Sequence, residues 1–452
     1  MSRLRDDLRG EVIGREDGGY DAARTVFPGN IDRRPAAIVR PVDAAEVSIV
    51  VSLARDTGLE LAVRCGGHSG PGFGVCDGGI VLDLSAMKGL DIDADGHSAW
   101  AETGLTAAEY SSAAGEHGLA TGFGDTGSVG IGGLTLGGGI GFLVRKYGMT
   151  IDDLLAAEVV TADGELLRVD DESHPDLFWA IRGGGGNFGV ATRFRFRLHD
   201  VPSIVGGILM LPATQEVIAS FVEEAEAAPE ELTTIANVMK APPMPFVPEE
   251  HHGELAIFAL MAYAGETDAG ERAVAPFRAL AEPLADMLQP MSYPEIYMPD
   301  EETYHPIAVG QTRFADHVDE AAATTILDRI TESSAMMAVT QIRALGRAMA
   351  RVPADATAFA HRGSRLMVTV AAVFEQVEEA PQHQAWVDDL AGILRQDDHG
   401  AYVNFLGEEG EAGIREAYPG PTWHRLRSIK RAYDPDNLFR LNQNIPPASE
   451  AS

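Results

Sequence analysis

The stretch GFGDTGSVGIGGLTLGGGIGFLVRKYG, residues 122 to 148, contains 11 glycines. This density is incompatible with one continuous helix or strand, because glycine loses more backbone entropy on ordering than any other residue. Apolar residues such as Val129, Ile131 and Leu134 are interleaved with the glycines, which is not the composition of a flexible linker. We therefore expect an ordered segment whose backbone is approached closely by another group.

A second glycine cluster, GGGGNFG from Gly183 to Gly189, contains the letters of the GxGxxG dinucleotide fingerprint. In a Rossmann fold that turn follows a strand and opens a helix. Here the order is reversed, since the helical pattern HPDLFWAIR precedes the cluster and the alternating strand pattern VATRFRFRL follows it. The sequence therefore argues against a nicotinamide dinucleotide on this loop.

The composition excludes several classes of protein. The chain has 452 residues, enough for two domains, with 45% hydrophobic and 23% charged residues, an ordinary globular balance. Its net charge of −33 would repel nucleic acids and anionic membranes, so neither is an expected partner. The absence of a secretory leader and of a long apolar run predicts a cytoplasmic protein. Two cysteines cannot form a four-ligand zinc site, and no metal is predicted.

Four segments, taken together and in order, resemble one known family. They are RCGGHSGPG at 64 to 72, GSVGIGGLTLGGGIGFLVRKYG at 127 to 148, HPDLFWAIRGGGGNFGV at 174 to 190, and YDPDNLFRLNQNIPP at 433 to 447. They look like the berberine-bridge-enzyme-like branch of the FAD-linked oxidases, within the vanillyl-alcohol-oxidase superfamily. The resemblance spans both ends of the chain.

The resemblance implies an α+β fold of two domains. The first is a PCMH-type FAD-binding domain, expected at residues 1–200 with its core at about 33–200. After it, helical patterns such as EVIASFVEEAEAA and strand patterns such as ELAIFALMAYAG predict a substrate domain, residues 201–402, in which helices cover an antiparallel sheet. Residues 403–452 are expected to return to the first domain, because a free tail would hardly retain large apolar residues.

The resemblance also implies one FAD bound covalently. Glycines in the loop from Arg64 to Gly70 can present successive backbone N–H groups to a pyrophosphate where side chains would obstruct it. In this family the histidine of the R-x-G-G-H loop bonds to the flavin 8α carbon, and here that position is His68. A neutral imidazole is a competent nucleophile. Many relatives add a cysteinyl bond, but the matching position is Thr126, which implies no second covalent bond.

Further residues are assigned to the cofactor by the same resemblance. Val129 matches a gatekeeper position where valine is associated with oxidases, so O2 is the expected electron acceptor. Leu134 stands where many relatives have His or Asn near the flavin ring, which implies an altered environment. The other expected cofactor contacts are Arg64, Cys65, Gly66, Gly67, Ser69, Thr126, Gly127, Ser128, Gly130, Gly133, Gly137, Gly139, Gly141, Val190, Asn442 and Asn444.

Oxidation of an alcohol needs a base that takes the hydroxyl proton while the carbon delivers hydride to the flavin. The segment AYVNFL resembles the Y-x-N strand that carries the catalytic tyrosine in bacterial sugar and glycoside oxidases of this branch, so Tyr402 is the expected base. A phenol with a pKa near 10 is a poor base at neutral pH. We expect help from the flavin, from a neighbour such as Tyr147 or from a cation such as Arg64 or Lys146.

Together these features predict an FAD-dependent oxidase that acts on an alcohol, a sugar or a secondary-metabolite hydroxyl and reduces O2 to hydrogen peroxide. Plant alkaloid-cyclising relatives use a carboxylate at a position that falls near Thr369, which disfavours ring closure here. Two alternatives stay open. One is a dehydrogenase that uses another electron acceptor, and the other is a flavin-bound protein without turnover, which the Thr126 and Leu134 departures suggest.

Overall fold

The computed structural model describes residues 2–298, 304–407 and 409–449. The first 200 residues contain eleven described strands, which are β1 (Glu11–Gly14), β2 (Ala37–Arg40), β3 (Leu61–Arg64), β4 (Ile80–Asp83), β5 (Leu90–Asp93), β6 (Ser98–Glu102), β7 (Leu119–Ala120), β8 (Leu154–Val160), β9 (Leu166–Val169), β10 (Val190–Arg197) and β11 (His199–Asp200). The described helices of this region are α1 (Ser2–Asp7), α2 (Tyr20–Arg24), α3 (Ala44–Thr57), α4 (Ala107–Gly115), α5 (Ile131–Gly137), α6 (Val144–Tyr147) and α7 (Pro175–Ile181).

Two main sheets organise this first region. The four-stranded sheet has the order β1-β2-β4-β3, in which β2, β4 and β3 are parallel and β1 is antiparallel. The five-stranded sheet has the order β5-β6-β10-β8-β9 and is antiparallel throughout. Helix α3 begins after Asp43, whose carboxylate accepts from the backbone N–H of Glu46, and ends at Gly58 in the left-handed conformation. The first region thus combines one mixed sheet and one antiparallel sheet with helices.

The rest of the chain forms one large sheet with its helices, followed by two helices, Gly410–Ala417 and Gly420–Tyr433, that pack into the core of the first region. The strands are β12 (Ile204–Pro212), β13 (Leu232–Lys240), β14 (Leu255–Tyr263), β15 (Ala285–Asp286), β16 (Gln289–Met291), β17 (Ile307–Ala315), β18 (Met337–Ala344) and β19 (Leu366–Phe374). The helices are α8 (Gln215–Ala227), α9 (Thr267–Arg278), α10 (Glu320–Glu332), α11 (Ala348–Arg351), α12 (Ala380–Ile393), α13 (Gly410–Ala417) and α14 (Gly420–Tyr433).

All eight strands of this sheet pair antiparallel, in the order β15-β12-β14-β13-β18-β19-β17, with β16 beside β12. Helices α8, α10 and α12 bury an apolar core against one face of it. The prediction of an α+β protein with a helix-covered antiparallel sheet is therefore confirmed. Its domain boundaries at residues 200 and 402 stay a prediction. Within the described ranges, no helix combines the length and the apolar character needed to traverse a bilayer.

The segment 122–148 is not one continuous helix or strand: it contains two short helices, α5 and α6, and the chain turns between them at Gly138 with φ 138°. One local prediction needs correction. Tyr402 does not lie in a strand. It immediately precedes a single 3₁₀ turn, Val403–Phe405, which directs its side chain inward to a fully buried position.

The second glycine cluster holds the C-terminal tail. Asn187, in the 3₁₀ turn Gly185–Asn187, donates its side-chain amide to the carbonyl of Gln443 (3.1 Å) and accepts from the N–H of Ile445 (2.9 Å). Its own carbonyl accepts from the Lys430 ammonium at 2.7 Å. The fingerprint letters therefore serve a packing role, which agrees with the rejection of a Rossmann turn.

Lys430 is the charge at the centre of this attachment. It is fully buried and pairs with the equally buried Asp434 at 2.6 Å, while it also donates to the carbonyl of Phe439 at 2.8 Å. Asp434 in turn accepts from the N–H groups of Leu438 and Phe439. Burial lowers the pKa of Lys430, and the neighbouring carboxylate opposes that change. A buried pair of this kind is costly to break.

Replacing Lys430 with methionine is expected to destabilise the protein. The substitution leaves the Asp434 carboxylate buried without its cation, so the free energy of unfolding should fall by about 3 kcal/mol, measured by denaturant unfolding. Lys88→Met is the matched control, because Lys88 is exposed and pairs with Glu109 at the surface, and it should cost less than about 1 kcal/mol. Equal stability of the two variants would contradict this role for Lys430.

Candidate active site

The two glycine-rich segments of the first domain meet backbone to backbone. A Cβ placed on Gly66 would collide with the backbone N of Gly130, and a Cβ on Gly130 would collide with the N of Gly66. Cys65 packs into the same junction, since a Cβ on Gly132 would collide with its sulfur. Burial raises the pKa of the Cys65 thiol to about 12, so it is a packed, protonated group rather than a reactive one.

Other glycines of the segment 122–148 also meet protein rather than open space. Added Cβ atoms at Gly137, Gly139 and Gly141 would collide with Asn404, Thr150 and the Phe123 carbonyl. Gly139 also needs glycine for its φ of 78°. Many glycines here therefore permit close packing of the polypeptide on itself, which explains part of the density that the sequence attributes to a bound group.

Some residues of the predicted site have free space beside them or polar atoms without a partner, and these fit a bound dinucleotide. Added Cβ atoms at Gly70 and Gly133 would meet nothing within 4 Å. The side-chain oxygens of Ser128, Asn442 and Asn444 are buried without a hydrogen-bond partner, which is a costly state that a polar ligand would relieve. FAD offers both the donors and the acceptors that these hydroxyl and amide groups need.

A cavity of about 410 Å³ adjoins these tail residues. Its lining includes Asn442, Asn444 and Pro446 from the tail and Phe73 from the loop that follows His68. Both asparagines were predicted from the family pattern to contact the flavin. The structure thus brings the tail and the His68 loop to one opening.

The His68 side chain is in contact with an aromatic ring. Its imidazole stacks on Phe27, with ring centroids 4.3 Å apart and an interplanar angle of 20°. Gly67 has φ 70° and accepts a hydrogen bond at its carbonyl from the Phe27 N–H at 3.1 Å. The Ser69 hydroxyl accepts from the N–H of Phe73 at 3.4 Å. The loop conformation is therefore fixed on both sides of His68.

Several predicted cofactor residues have contacts within the protein. Arg64 is buried and pairs with Asp83 at 2.7 Å. Val190 is fully buried in the core under the four-stranded sheet. The Thr126 hydroxyl donates to Asp125 at 3.4 Å. The Val129 and Gly127 carbonyls accept from the first turn of α4. These contacts fix the positions of the residues within the protein. Their roles in cofactor binding stay predictions.

Tyr402 has a well-defined polar environment. Its phenol oxygen accepts from the N–H of Gly139 at 2.8 Å and from the side-chain amide of Asn404 at 2.9 Å. The same amide donates to the carbonyl of Leu134 at 3.0 Å, which anchors it to α5. Burial raises the pKa of Tyr402 to about 12, while Asn404, Gly139 and the charge of Arg343 oppose the rise. Two donors on one phenol oxygen favour its deprotonated form.

The residues that were expected to assist Tyr402 make other contacts. The Tyr147 ring stacks on His199 at 3.9 Å, and its hydroxyl donates to the carbonyl of Asp200 at 3.4 Å. Lys146 donates to the carbonyl of Ala264 at 2.7 Å, and the Arg64 charge is occupied by Asp83. The Tyr147 hydroxyl thus bonds Asp200, and the cation whose charge lowers the pKa of Tyr402 is Arg343. A role for Tyr147 in the reaction stays a prediction.

Arg343 connects the two domains close to Tyr402. Its Nε donates to the Gln341 side-chain oxygen at 2.8 Å, its Nη2 pairs with Asp125 of the first domain, and its Nη1 is buried without a partner. The guanidinium also lies 5.4 Å from the centre of the Phe405 ring. A buried cation with one unsatisfied nitrogen is thus held near the phenol.

A polar row crosses the sheet next to Arg343. Asn237, Gln341, Thr369 and Thr312 occupy directly opposed positions on β13, β18, β19 and β17. The Gln341 amide donates to Asn237 at 2.8 Å, and the two threonine hydroxyls are 2.8 Å apart. These residues alternate with the apolar positions that pack against the helices. The row therefore lies on the sheet face opposite the helices.

Some residues of the site were not predicted to be functional, although they stand in recognisable sequence patterns. Asn404 stands two positions after Tyr402 in the quoted AYVNFL motif. Gln341 and Arg343 alternate with Thr340, Ile342 and Ala344 in TQIRA. Their common location could not be read, because it depends on the cross-strand order of β13, β18 and β19.

Comparison with known proteins agrees with this geometry. Residues 35–170 match a family model described as an FAD binding domain, and residues 401–446 match one described as berberine and berberine like. The chain is 31% identical to (R)-6-hydroxynicotine oxidase of Paenarthrobacter nicotinovorans, over 97% of each protein. It is 26% identical to xylooligosaccharide oxidase of Thermothelomyces thermophilus, over 97% of this chain and 92% of that protein.

A solved structure is also similar to this chain in fold. A crystal structure of 6-hydroxy-D-nicotine oxidase from Arthrobacter nicotinovorans superposes with a TM-score of 0.88 and 28% identity, covering 98% of both chains. Similarity at this level over the whole length, together with both family models and the glycine-lined site, identifies the family. The chain belongs to the berberine-bridge-enzyme-like FAD-linked oxidases.

Proposed function

We propose that this protein oxidises a CH–OH group of an alcohol, a sugar or a secondary metabolite, with FAD bonded to His68 and with O2 as the electron acceptor. The net reaction converts the alcohol and O2 into a carbonyl product and hydrogen peroxide. The observation that carries the proposal is the environment of the Tyr402 oxygen, which receives hydrogen bonds from Gly139 and Asn404.

Tyr402 would act as the general base. Both donors bind lone pairs of its oxygen, so they stabilise the phenolate that accepts the hydroxyl proton. The bound FAD supplies the acceptor for the hydride that leaves the same carbon. Arg343 adds a positive charge near the phenol, and the Phe405 ring and the tight packing around Tyr402 exclude water. No carboxylate is needed for this step.

The polar row is the proposed contact surface for the substrate's remaining polar groups. Its members Asn237, Gln341, Thr369 and Thr312 are uncharged, and the charge of the adjoining Arg343 is paired with Asp125. Amides and hydroxyls both donate and accept, which suits hydroxyl-bearing substrates. The name of one relative, xylooligosaccharide oxidase, supports a substrate of this kind. Val129, at the predicted gatekeeper position, supports O2 as acceptor.

Replacing His68 with alanine is expected to abolish covalent attachment. After acid precipitation, flavin should stay with the wild-type polypeptide and be released completely from His68→Ala. Cys65→Ala is the matched control on the neighbouring position, and it should retain the flavin because the thiol is packed against Gly132. Release of all flavin from the wild type would refute the covalent bond.

Replacing Tyr402 with phenylalanine is expected to slow hydride transfer by roughly 10²- to 10⁴-fold, the usual contribution of a general base. The measurement is the rate of anaerobic flavin bleaching by an alcohol or sugar that the wild type oxidises. Tyr433→Phe is the control, because its hydroxyl bonds Asp176 at the surface. An undiminished rate for Tyr402→Phe would exclude it as the base, and failure of the wild type to form peroxide in air would exclude the oxidase.

Replacing Arg343 with glutamine is expected to shift the pH profile of flavin reduction upward. Tyr402 must be deprotonated to act, burial raises its pKa to about 12, and Arg343 opposes that rise. The rate therefore increases with pH, and loss of the charge should move the rising limb higher by about one pH unit.

Two variants separate this charge effect from loss of the ion pair. Arg343→Lys keeps the charge and should keep the limb near its wild-type position. Arg343→Gln combined with Asp125→Asn removes the unpaired carboxylate and should show the upward shift again. A profile that stays fixed in both glutamine variants would show that Arg343 does not tune the base.

A further inference from the structure

One aromatic contact in the first domain has no role in the steps above. Phe27 lies flat on the His68 imidazole, with centroids 4.3 Å apart and planes inclined by only 20°. Phe27 belongs to the segment before β2, outside the residues 35–170 that match the FAD binding domain model. It is therefore a feature of this chain's N-terminal segment that packs on the candidate attachment residue.

The stack is held in place from both sides. The Phe27 N–H donates to the carbonyl of Gly67, the residue next to His68, at 3.1 Å. On the outer side, the Tyr304 ring meets Phe27 edge-on at 6.4 Å, and the His305 imidazole lies 3.3 Å from the Phe27 carbonyl oxygen. Phe27 thus has a fixed backbone and a supported ring, and it covers one whole face of the imidazole.

We propose that Phe27 is the positioning residue for covalent flavin attachment, which it promotes by fixing the plane of the His68 ring. The inference rests on the proposed bond between His68 and the flavin. With one face covered by Phe27, tilting of the imidazole out of its plane is restricted, and its ring-edge nitrogens stay in one plane. Restricting a nucleophile to one orientation accelerates bond formation within a bound complex.

The chemistry of the bond makes orientation important. An imidazole nitrogen of His68 forms a bond to the 8α carbon, the 8α methyl group loses one hydrogen, and the imidazole N–H loses the other. These two hydrogens and their electrons reduce the bound flavin, and O2 then takes them up to give hydrogen peroxide. His68 must therefore present a nitrogen lone pair in the ring plane toward the methyl group, and Phe27 contacts the face of the ring rather than its edge.

The test compares attachment with binding. The chain is purified at intervals after induction, and the ratio of acid-stable flavin to total bound flavin is followed over time. Phe27→Leu and Phe27→Met remove the aromatic face, and we expect the ratio to rise roughly threefold to tenfold more slowly, in line with the free energy of an aromatic stack. Total bound flavin and thermal stability should stay close to wild type.

Matched variants complete the design. Phe27→Tyr keeps the stack and should restore the wild-type time course. Phe246→Leu makes the same substitution at a partly buried ring of the substrate domain and should leave the ratio unchanged. Peptide mapping should find the flavin on His68 in every covalent fraction.

The outcomes separate this inference from the proposed function. If the wild type itself never forms acid-stable flavin, the proposed bond fails. If the wild type forms it and the leucine and methionine variants form it equally fast, the positioning role of Phe27 is refuted. If those variants bind no flavin at all, Phe27 acts in binding, and the positioning role is refuted as well.

Discussion

The site depends on one steric constraint, the backbone contact between Gly66 and Gly130. Neither position can carry a Cβ, because each would overlap the backbone nitrogen of the other. This contact brings the loop with His68 against the N-terminus of α5. The same helix continues through Gly133 to Leu134, whose carbonyl accepts from the Asn404 amide that also donates to Tyr402. Once these segments touch, their relative position is fixed, and the Ser128 hydroxyl next to this contact is buried without a hydrogen-bond partner.

Two further sets of contacts border the site, one from the large sheet and one from the C-terminal tail. Arg343 of the large sheet pairs with Asp125 of the first domain, so the base and the polar row are placed by an interdomain charge pair. Asn187 and Lys430 anchor the tail, which carries Asn442 and Asn444 to the cavity. The glycine cluster 183–189 therefore serves the site indirectly, through the tail that it holds.

Much of the fold could be predicted from local sequence. The order of helix before and strand after Gly183–Gly189 correctly excluded a Rossmann turn, and the period-2 pattern of VATRFRFRL correctly predicted β10. The glycine density of residues 122–148 was informative but ambiguous, because a glycine beside protein and a glycine beside a ligand look alike in sequence. Gly137 and Gly133 differ only in what the folded chain places next to them. The site was harder to predict from the sequence, since Arg343, Gln341 and Asn237 come together only through the pairing of β13 with β18. The contacts of Tyr147 with His199 and Asp200 likewise depend on tertiary packing.

The central claim is that the loop with His68, the segment 122–148 and the C-terminal tail together hold one FAD. The most direct measurement is the visible absorption spectrum of the purified chain, calibrated against its protein concentration. The account predicts a flavin spectrum that corresponds to one FAD for each polypeptide. A folded, colourless preparation that takes up no added FAD would contradict it.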